Sequence, residues 1–520
     1  MTDKGDRPIV GGLAPAVVEL KEGEYYAWCT CGRTCTPPFC DGAHRGTDFE
    51  PLIFRASASG PAALCRCKVT ANPPYCDGAH ARLRDVKPGE PVPETFCRGD
   101  EEMPDAWPVA EEPTLRQVRT LARAALGDLG GQHGEPASMG VPRPRLPDWD
   151  DIVLLPAQLA RRPLAHDAPV KTRAIIGPRA KRPLELEIPL LIADMSLGAL
   201  SPEAKVALAR GAARAGAGTC SGEGGMMEEE RAENARYLFE LGTAMFGWRA
   251  DVPEKVAAFH FKIGQAAKAG LGGFLPGSKV RGRIARARGL KPGTPAVSPA
   301  AFEKLRAPED FARFAEEVRA RSGGIPVGFK IAAGHVERDI DFALQAGADY
   351  IMLDGRGGGT GSAPRLLRDH ICLPAIAALA RARRHLDARA GREVSLIISG
   401  GLRTPADFIK ALALGADAVA IGTAALQALG CVSARICHTN NCPAGIATQD
   451  PRLRARLNVD AGAERVARFL SNSAELMRMF ARACGHADVH DFSRDDLATW
   501  KPDLAALAGV PHAGGDDTAS

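Results

Sequence analysis

The feature that most constrains the fold is a repeated alternation of apolar runs and amphipathic stretches from about residue 186 onward. Runs such as "IPVGFKIAAG", "ADYIMLDG" and "EVSLIISGG" each end in glycine and precede a helix-like stretch. Strands buried on both faces read as continuous apolar runs, so this pattern predicts a parallel α/β sheet. The number of units, and the glycines at the carboxyl ends of the strands, favour a (β/α)8 TIM barrel over the alternative, a doubly wound sheet.

The rest of the chain divides around this barrel. Residues 1–96 are rich in cysteine and turn residues, which predicts a small β-rich domain that needs a metal to fold. Residues 97–150 read as a linker with one helix, "TLRQVRTLARAAL". We expect the barrel and a helical C-terminal extension over 151–500, and a flexible tail over 501–520.

Charge and hydropathy narrow the class of partner. The chain has 66 basic and 62 acidic residues, a net charge of +4, and no basic block. It has no uninterrupted apolar run of 18 residues and no apolar segment near its first residue. We therefore expect a cytoplasmic protein that binds neither nucleic acid nor a membrane.

The fourteen cysteines are not typical of a disulfide framework in a reducing compartment. Nine of them fall into three clusters that we interpret as metal ligands. The other five are scattered and read as small buried hydrophobic residues: Cys35, Cys97, Cys220, Cys372 and Cys484.

Two of the clusters repeat one arrangement. Residues 29–44 read "CTCGRTCTPPFCDGAH", and residues 65–80 read "CRCKVTANPPYCDGAH", 36 positions later. Three thiolates and one imidazole suit either a closed zinc site or an iron–sulfur cluster, and spacing alone does not decide between them. The candidate ligands are Cys29, Cys31, Cys40 and His44 in the first copy, and Cys65, Cys67, Cys76 and His80 in the second.

Both copies carry the pattern C-x-C-x2-[ST]-x3-P-x-C-D-G-x-H, which resembles the CDGSH-type (NEET-like) iron–sulfur domain. Ala43 and Ala79 stand where that family's name has serine. The resemblance implies one [2Fe–2S] cluster in each copy, and a tandem that completes its fold within one chain. The pair is interpreted as an electron inlet, with a purely structural metal site as the alternative.

The third cluster comprises Cys431, Cys437 and Cys442, on a loop directly after the last predicted barrel unit. Three closely spaced thiolates without a fourth suit a [3Fe–4S] cluster better than a tetrahedral metal.

Several segments then resemble the FMN-binding synthase domain of the glutamate synthase family, in the same order along residues 150–500. They include "SGEGGM", "KIGQAAKAGLGGFLPGSKV" and "CVSARICHTNNCPAGIATQ". The resemblance implies FMN in the barrel and a [3Fe–4S] cluster on the cysteine loop.

The same resemblance assigns roles residue by residue. It implies that Glu223, Lys268 and Arg288 are catalytic or bind the substrate. It implies that flavin is held by Ser196, Ser221, Gln265 and Lys330 around the ring system, and by Gly400, Gly401, Gly422 and Thr423 at the phosphate.

The chain departs from the family at positions that bear on the substrate. Phe274 replaces a glutamine that faces the keto-acid pocket, and Ala269 and Leu271 replace a proline and a glutamate. Arg356 and Gly357 stand where the family has His and Asp. A more apolar pocket weakens strict specificity for 2-oxoglutarate.

The implied activity is reductive amination of a 2-keto acid, 2-oxoglutarate or an analogue, with ammonia or a small amine. The first cysteine is Cys29, inside a cluster motif, so we expect ammonia from an amidotransferase or another supplying partner. No G-x-G-x-x-G follows a strand, so we expect a separate ferredoxin or reductase as electron donor. The alternatives are an electron-transfer or redox-sensing protein without amination, and another FMN oxidoreductase on the same barrel.

Overall fold

The computed structural model describes residues 7–93, 96 and 135–515, and the chain falls into two compact units, Met1–Ala124 and Ala125–Ser520. The predicted linker helix at 114–126 lies outside the described residues, as does Cys97.

The N-terminal unit contains four short strands: β1 (Ala16–Leu20), β2 (Tyr25–Trp28), β3 (Leu52–Arg55) and β4 (Gly60–Leu64). Strand β1 pairs antiparallel with β4, and β2 pairs antiparallel with β3. Since β3 and β4 lie 36 residues after β1 and β2, the first strand of each repeat pairs with the second strand of the other. Neither repeat therefore has a sheet of its own, and Trp28 and Leu64 are buried in one shared core.

Eight parallel strands between residues 190 and 421 close into a barrel in chain order, which confirms the predicted TIM architecture. The closure is the pairing of the first of these strands with the last. Every residue of the five longest barrel strands but one is buried, as continuous apolar runs predict. The barrel strands are β9 (Leu190–Ile192), β10 (Gly218–Cys220), β11 (Tyr237–Leu241), β12 (Ala258–Lys262), β15 (Val327–Ala332), β16 (Tyr350–Asp354), β18 (Ser395–Ser399) and β19 (Ala418–Ile421).

Helices cover the outside of the barrel. In the part of the chain that the structure describes they are α1 (Pro202–Arg214), α2 (Glu228–Ala232), α3 (Gly282–Arg288), α4 (Pro308–Ser322), α5 (Val336–Gln345), α6 (Arg365–His370), α7 (Ala375–Arg389), α8 (Pro405–Ala413), α9 (Thr423–Leu429), α10 (Pro451–Arg454), α11 (Val459–Cys484) and α12 (Pro502–Ala508). Short 3-10 turns lie at Ala79–Arg82, Arg143–Arg145, Trp149–Asp151, Pro253–Lys255, Ala266–Lys268, Cys437–Thr439 and Arg494–Asp496. The long helix α11 packs on α1 so closely that a Cβ on Gly211 would lie 2.7 Å from the carbonyl oxygen of Ala463.

Four small antiparallel pairs surround the barrel, and they correct the predicted linker boundary. The pairs are β5 (Pro136–Ala137) with β17 (Ala363–Pro364), β6 (Ile152–Leu154) with β20 (Leu497–Thr499), β7 (Ala174–Ile176) with β8 (Leu184–Leu186), and β13 (Phe274–Leu275) with β14 (Ala296–Val297). Because β5 pairs with a barrel loop and Trp149 is buried in the barrel core, residues 135–150 are part of the barrel unit and not of a linker.

The expected flexible tail is wrong for the described part of 501–520. Helix α12 buries Leu504 and Ala508, and His512 forms a bridge with Thr499 of β20. These apolar residues anchor the segment, and only 516–520 lie outside the described residues.

None of the helices in the described ranges is both long and apolar enough to cross a membrane.

Candidate active site and metal centres

A cavity of about 420 Å³ opens at the carboxyl ends of the barrel strands. This volume lies within the usual range for small-molecule sites. Most of the residues that the sequence assigned to catalysis or flavin line it: Ser196, Glu223, Gln265, Lys268, Arg288, Lys330, Gly400, Gly401, Gly422 and Thr423. The fold therefore brings together residues that are separated by up to 227 positions (196 to 423).

Ser221 is the predicted flavin residue that does not line the cavity. Its hydroxyl donates to the carbonyl oxygen of Gly222 and accepts from the backbone N–H of Glu240, both at 3.0 Å. The side chain is fully buried, so it joins the ends of β10 and β11 rather than forming part of the cavity wall.

A buried charge network forms the floor of the cavity. Lys330 Nζ lies 2.5 Å from Asp194 Oδ2 and 3.3 Å from Glu240 Oε2. Burial opposes the charge of Lys330, but these carboxylates raise its pKa well above the usual value. Burial likewise opposes ionisation of Asp194, but Lys330 and His260 hold the pKa of that carboxyl well below its usual range.

Sequence reasoning missed Asp194, Glu240, His260 and Lys262 in this network. A signal was available, because all four are charged or polar residues inside or directly after apolar strand segments. Alternate residues of a barrel strand point inward, so such a residue faces the others across the barrel.

Glu223 lies among cations. Its Oε2 is 2.5 Å from Lys262 Nζ, and its Oε1 is 3.7 Å from Lys268 Nζ. Burial would raise the pKa of Glu223, but Lys262, Lys268 and Arg288 hold it well below its usual range. A Cβ on Gly273 would lie 2.6 Å from Glu223 Oε1, so this approach requires glycine. Glu223 is therefore an ionised carboxylate at neutral pH, able to bind a cation.

The two predicted substrate cations differ in character. Burial and the charge of Lys262 lower the pKa of Lys268, which makes it the better proton donor. The Arg288 guanidinium donates to the carbonyl oxygen of Leu197 at 3.2 Å and lies 5.2 Å from the ring centroid of Phe246. Its buried Nε has no hydrogen-bond partner among the described residues, so it remains available for a carboxylate.

Glycine loops form a second wall of the cavity. Gly400 has a φ of +109°, and a Cβ there would lie 2.2 Å from the carbonyl oxygen of Gly355. Gly401, Gly422 and Thr423 line the same wall. Loops of this kind at strand ends let backbone N–H groups approach a phosphate.

Arg403 adds a cation to this wall, and the sequence analysis did not assign it a role. Burial lowers the pKa of Arg403 to about 10, and the neighbouring Arg143 and Arg435 contribute. Asp407 orders the backbone here, accepting from the N–H of Arg403 at 2.6 Å. A half-buried guanidinium near other arginines is stabilised by an anion, so Arg403 and the glycine loops fit a phosphate group.

These features fit FMN, whose phosphate the glycine loops and Arg403 would hold, while Lys330 in the cavity floor would stabilise negative charge on the flavin. Gln265 Nε2 donates to the carbonyl oxygen of Gly359 at 2.6 Å. This bond links the segment after β12 to the loop after β16. The Arg356 side chain turns away from the cavity, and its guanidinium donates to the carbonyl oxygen of Asp369. The departure from the family at Arg356 therefore does not add a cation to the site.

The predicted cluster loop adjoins the cavity. Cys437 lines the cavity, and burial, then the charges of Cys431 and Cys442, raise the pKa of its thiol. Thiolates that raise each other's pKa are stabilised by a bound metal. His438 Nδ1 lies 2.8 Å from Ser138 Oγ, which orients its ring. The three thiols fit an iron–sulfur cluster.

The two N-terminal sites have matching geometry. In the first, Cys29 Sγ lies 3.6 Å from Cys31 Sγ, and Cys40 Sγ lies 3.0 Å from His44 Nδ1. In the second, the distances are 3.5 Å for Cys65–Cys67 and 3.4 Å for Cys76–His80.

The acidic residue of each motif shapes its loop. Asp41 accepts from the N–H groups of Cys35 and Ala43, and Asp77 accepts from those of Ala71 and Ala79. In each site the ligands form two close pairs, one Cys–Cys and one Cys–His, and the chemistry of three thiols and one imidazole suits iron–sulfur or zinc.

One contact between the two N-terminal sites is asymmetric. Lys68 Nζ donates to the carbonyl oxygen of Cys29 at 2.6 Å and lies 4.3 Å from the ring centroid of Trp28. Trp28 Nε1 in turn donates to the carbonyl oxygen of Cys65 at 2.8 Å. The position equivalent to Lys68 in the first copy is Gly32, where a Cβ would lie 1.7 Å from the carbonyl oxygen of Ile9.

The site is thus a closed (β/α)8 barrel with a phosphate-type glycine wall, a buried charged floor and an adjoining thiol loop. Residues 155–487 match the conserved region in glutamate synthase, and residues 4–45 match the iron-binding zinc finger of CDGSH type. The chain belongs to the glutamate synthase family, and it carries a tandem CDGSH-type domain at its N-terminal end.

Two relatives with similar sequences carry glutamate synthase names. A "Glutamate synthase large subunit-like protein" of Rhizobium meliloti (strain 1021) is 36% identical over 421 residues, which cover 77% of this chain and 93% of that protein. An "Archaeal-type glutamate synthase [NADPH]" of Thermotoga maritima is 39% identical over 360 residues, covering 64% and 70%. The chain is thus a glutamate synthase-like oxidoreductase.

Two solved structures are also similar. The human mitochondrial inner NEET protein (MiNT)/CISD3 is 42% identical, with 16% of this chain and 98% of that chain covered and a TM-score of 0.16. A chimera of (S)-mandelate dehydrogenase is 17% identical, with 74% and 98% covered and a TM-score of 0.46.

Proposed function

We propose that the chain is an FMN-dependent enzyme that aminates a 2-keto acid reductively, with ammonia or a small amine as nitrogen source. One observation carries this proposal. An ionised Glu223 and the cations Lys262, Lys268 and Arg288 share one cavity with a phosphate-type glycine wall. A cofactor phosphate and a keto-acid carboxylate both need cationic partners, and an amine needs an anionic one.

The roles follow from the charge states of the side chains. Arg288 would bind the keto-acid carboxylate through its spare Nε donor. Lys268, whose pKa burial lowers, would give a proton to the ketone oxygen as it leaves as water. Glu223, which stays ionised, would bind the protonated amine and orient its nitrogen toward the carbonyl carbon, and the amine would lose its proton to solvent before attack. FMN, when bound, supplies the hydride that reduces the resulting imine.

Iron–sulfur clusters would carry the electrons to the flavin. We assign [2Fe–2S] clusters to the two CDGSH-type sites and a [3Fe–4S] cluster to Cys431, Cys437 and Cys442. The position of Cys437 in the cavity wall supports this loop as the last step before the flavin. The electron donor would be a separate ferredoxin or reductase, and an amidotransferase or another partner would supply ammonia.

Flavin reoxidation tests the proposal. The protein is purified anaerobically, reduced chemically, and mixed with 2-oxoglutarate plus ammonium, or with 2-oxoglutarate plus methylamine. We expect the flavin absorbance to return with at least one pair and an amino acid to form in equal amount. If artificial acceptors reoxidise the flavin while neither pair does, the amination proposal is wrong.

The second candidate function is electron transfer or redox sensing without amination. Phe274, 59% exposed on the β13–β14 hairpin, favours it because an apolar ring occupies a position that is polar in the family. The same reoxidation assay separates the two functions, since this candidate requires acceptors other than keto acids.

A further inference from the structure

A lysine that belongs to the second CDGSH-type site contacts the first. The Lys68 ammonium donates to the carbonyl oxygen of Cys29 at 2.6 Å and lies 4.3 Å from the ring centroid of Trp28. Trp28 Nε1 donates in the opposite direction, to the carbonyl oxygen of Cys65 at 2.8 Å. Because Cys29 and Cys65 are the first candidate ligands of their sites, these two bonds join the ligand-bearing segments to each other.

Lys68 adopts a backbone conformation that a lysine does not favour. Its φ is +66°, and the equivalent residue of the first copy, Gly32, has a φ of +75°. A residue with a side chain is strained in this left-handed region, whereas glycine is not. Glycine would therefore relieve the strain at position 68. A non-glycine residue held in this conformation indicates that its side chain has a function of its own.

The first copy has no room for an equivalent side chain. A Cβ on Gly32 would lie 1.7 Å from the carbonyl oxygen of Ile9. At the second copy the N-terminal segment passes through Gly11, whose N–H donates to the carbonyl oxygen of Arg66 at 2.9 Å. A Cβ on Gly11 would lie 3.9 Å from Lys68 Cε, which is an ordinary packing distance. The same segment thus excludes a side chain at one site and packs beside the lysine at the other.

The charge of Lys68 acts on both sites, but more on the first. The groups whose charges act most on it are buried thiols, in the order Cys29, Cys65, Cys31 and Cys67. In each equivalent pair the cysteine of the first site precedes that of the second. No carboxylate of the described residues ranks among these groups, so the charge of Lys68 acts mainly on the two sites.

A fixed positive charge at this place affects how readily each site is reduced. A [2Fe–2S] cluster held by three thiolates and one imidazole is anionic, and one added electron makes it more negative. A neighbouring cation stabilises the reduced form more than the oxidised form, and so raises the reduction potential. The electron comes from the ferredoxin or reductase of the proposed function, and no bond forms or breaks in this step.

We propose that Lys68 is a shared positive charge that raises the reduction potential of both N-terminal sites, and of the first site more. The first site therefore takes up the first electron, and the two sites are an ordered pair rather than two equivalent stores. The inference rests on one part of the proposed function, the assignment of [2Fe–2S] clusters to these sites, and does not require amination.

A redox titration tests Lys68 without turnover. The full-length protein, purified anaerobically with its iron, is reduced stepwise, and the EPR signals of the reduced clusters give the two midpoint potentials. Lys68→Met should lower the equilibrium constant for reduction of the first site about tenfold, which is about 60 mV for one electron. The second site should change by about threefold or less.

Two ligand variants assign the potentials to the sites. His44→Cys should lower the potential of the first site and His80→Cys that of the second, because a thiolate replaces a neutral imidazole. A variant that loses its cluster assigns the site equally well, through the loss of one EPR signal.

Three further variants separate charge from folding. Lys68→Gly installs the residue of the first copy and removes the backbone strain, so it should keep the iron content and shift both potentials as Lys68→Met does. Lys68→Arg keeps the charge and should leave both potentials near those of the wild type. Lys87→Met, at an exposed lysine of the same unit, is the matched control and should shift neither.

The proposal is overturned if Lys68→Met and Lys68→Gly leave both potentials unchanged, or shift the second site as much as the first. It is also overturned if the second site of the wild type is reduced first, or if the two sites hold zinc. If the potentials shift as expected while neither keto acid–amine pair reoxidises the flavin, the role of Lys68 stands and the proposed amination fails.

Discussion

At the scale of single residues, the charge state of Glu223 is the property on which the proposed chemistry depends. Its carboxylate is ionised because three cations outweigh the cost of burial. We expect Glu223→Gln to lower amination turnover by about 10²- to 10³-fold, the usual cost of losing one electrostatic partner of the reacting group, with flavin content unchanged. Glu254→Gln, at an exposed glutamate, is the control. Undiminished turnover in Glu223→Gln would remove this residue from the mechanism.

Arg403 carries a prediction about cofactor retention. Its half-buried guanidinium feels the charges of Arg143 and Arg435, which Asp407 offsets only in part, and a bound phosphate would relieve the remaining repulsion. We expect Arg403→Met to weaken flavin binding about 10- to 100-fold, measured as flavin released on dilution. Arg452→Met, at a highly exposed arginine, should release no extra flavin. Equal retention in both variants would contradict a phosphate site at Arg403.

Glu230 carries a prediction about pH. Burial raises the pKa of Glu230 to about 7, although Lys205 Nζ lies 2.7 Å away and Tyr237 donates to it. Because the folded pKa lies above the unfolded one, Glu230 contributes stability that is complete below about pH 4.5 and is lost as the pH rises through about 7. We expect Glu230→Gln to flatten this part of the stability curve, measured by urea unfolding from pH 5 to 8. An unchanged pH dependence would show that Glu230 ionises normally in the fold.

The sequence predicted single residues well where the signal was local. The ligands of the CDGSH-type sites lie within 16 residues of one another, so spacing alone brings them together. The pairing of Lys330 with Asp194 spans 136 positions and depends on which strands meet across the barrel. Spacing carries no information about such a pair, so the buried charge network was not predicted.

At the scale of elements, the β13–β14 hairpin bears on specificity. Phe274 and Val297 face each other in register on its two strands, and both are exposed. We expect Phe274→Gln to lower the KM for 2-oxoglutarate, because it restores an amide donor in the cavity wall. Val297→Gln is a matched control on the opposite strand, and it lies outside the cavity lining. A KM lowered equally by both changes would mean that hairpin polarity, and not the cavity contact, is responsible.

Long elements were predictable and short ones were not. Barrel strands such as β15, β16 and β18, and the helices after them, follow from apolar runs that end in glycine. The β5 strand, of two residues, and helix α12, of seven, have too little periodicity to be recognised. Their order comes from packing on the barrel, which explains why the predicted linker and tail boundaries differ from the structure.

At the scale of the whole molecule, the cluster assignment fixes an iron count. Two [2Fe–2S] clusters and one [3Fe–4S] cluster give about seven iron atoms per chain. We expect Cys437→Ser to remove the [3Fe–4S] cluster and so lower the iron count to about four atoms per chain. Iron and sulfide analysis of anaerobically purified protein measures this count. Cys484→Ser, at a buried thiol of helix α11, should leave the count at about seven. Stoichiometric zinc in place of iron would contradict the electron-transfer role.

The strand pairing of the N-terminal unit has a consequence for how the two CDGSH copies can evolve. Since β1 pairs with β4 and β2 with β3, each copy depends on a strand encoded by the other. A deletion that removes one copy would strip the remaining one of its partner strands. The two copies have diverged in detail, as at Gly32 and Lys68, but a copy left alone would have to obtain its partner strands from a second chain.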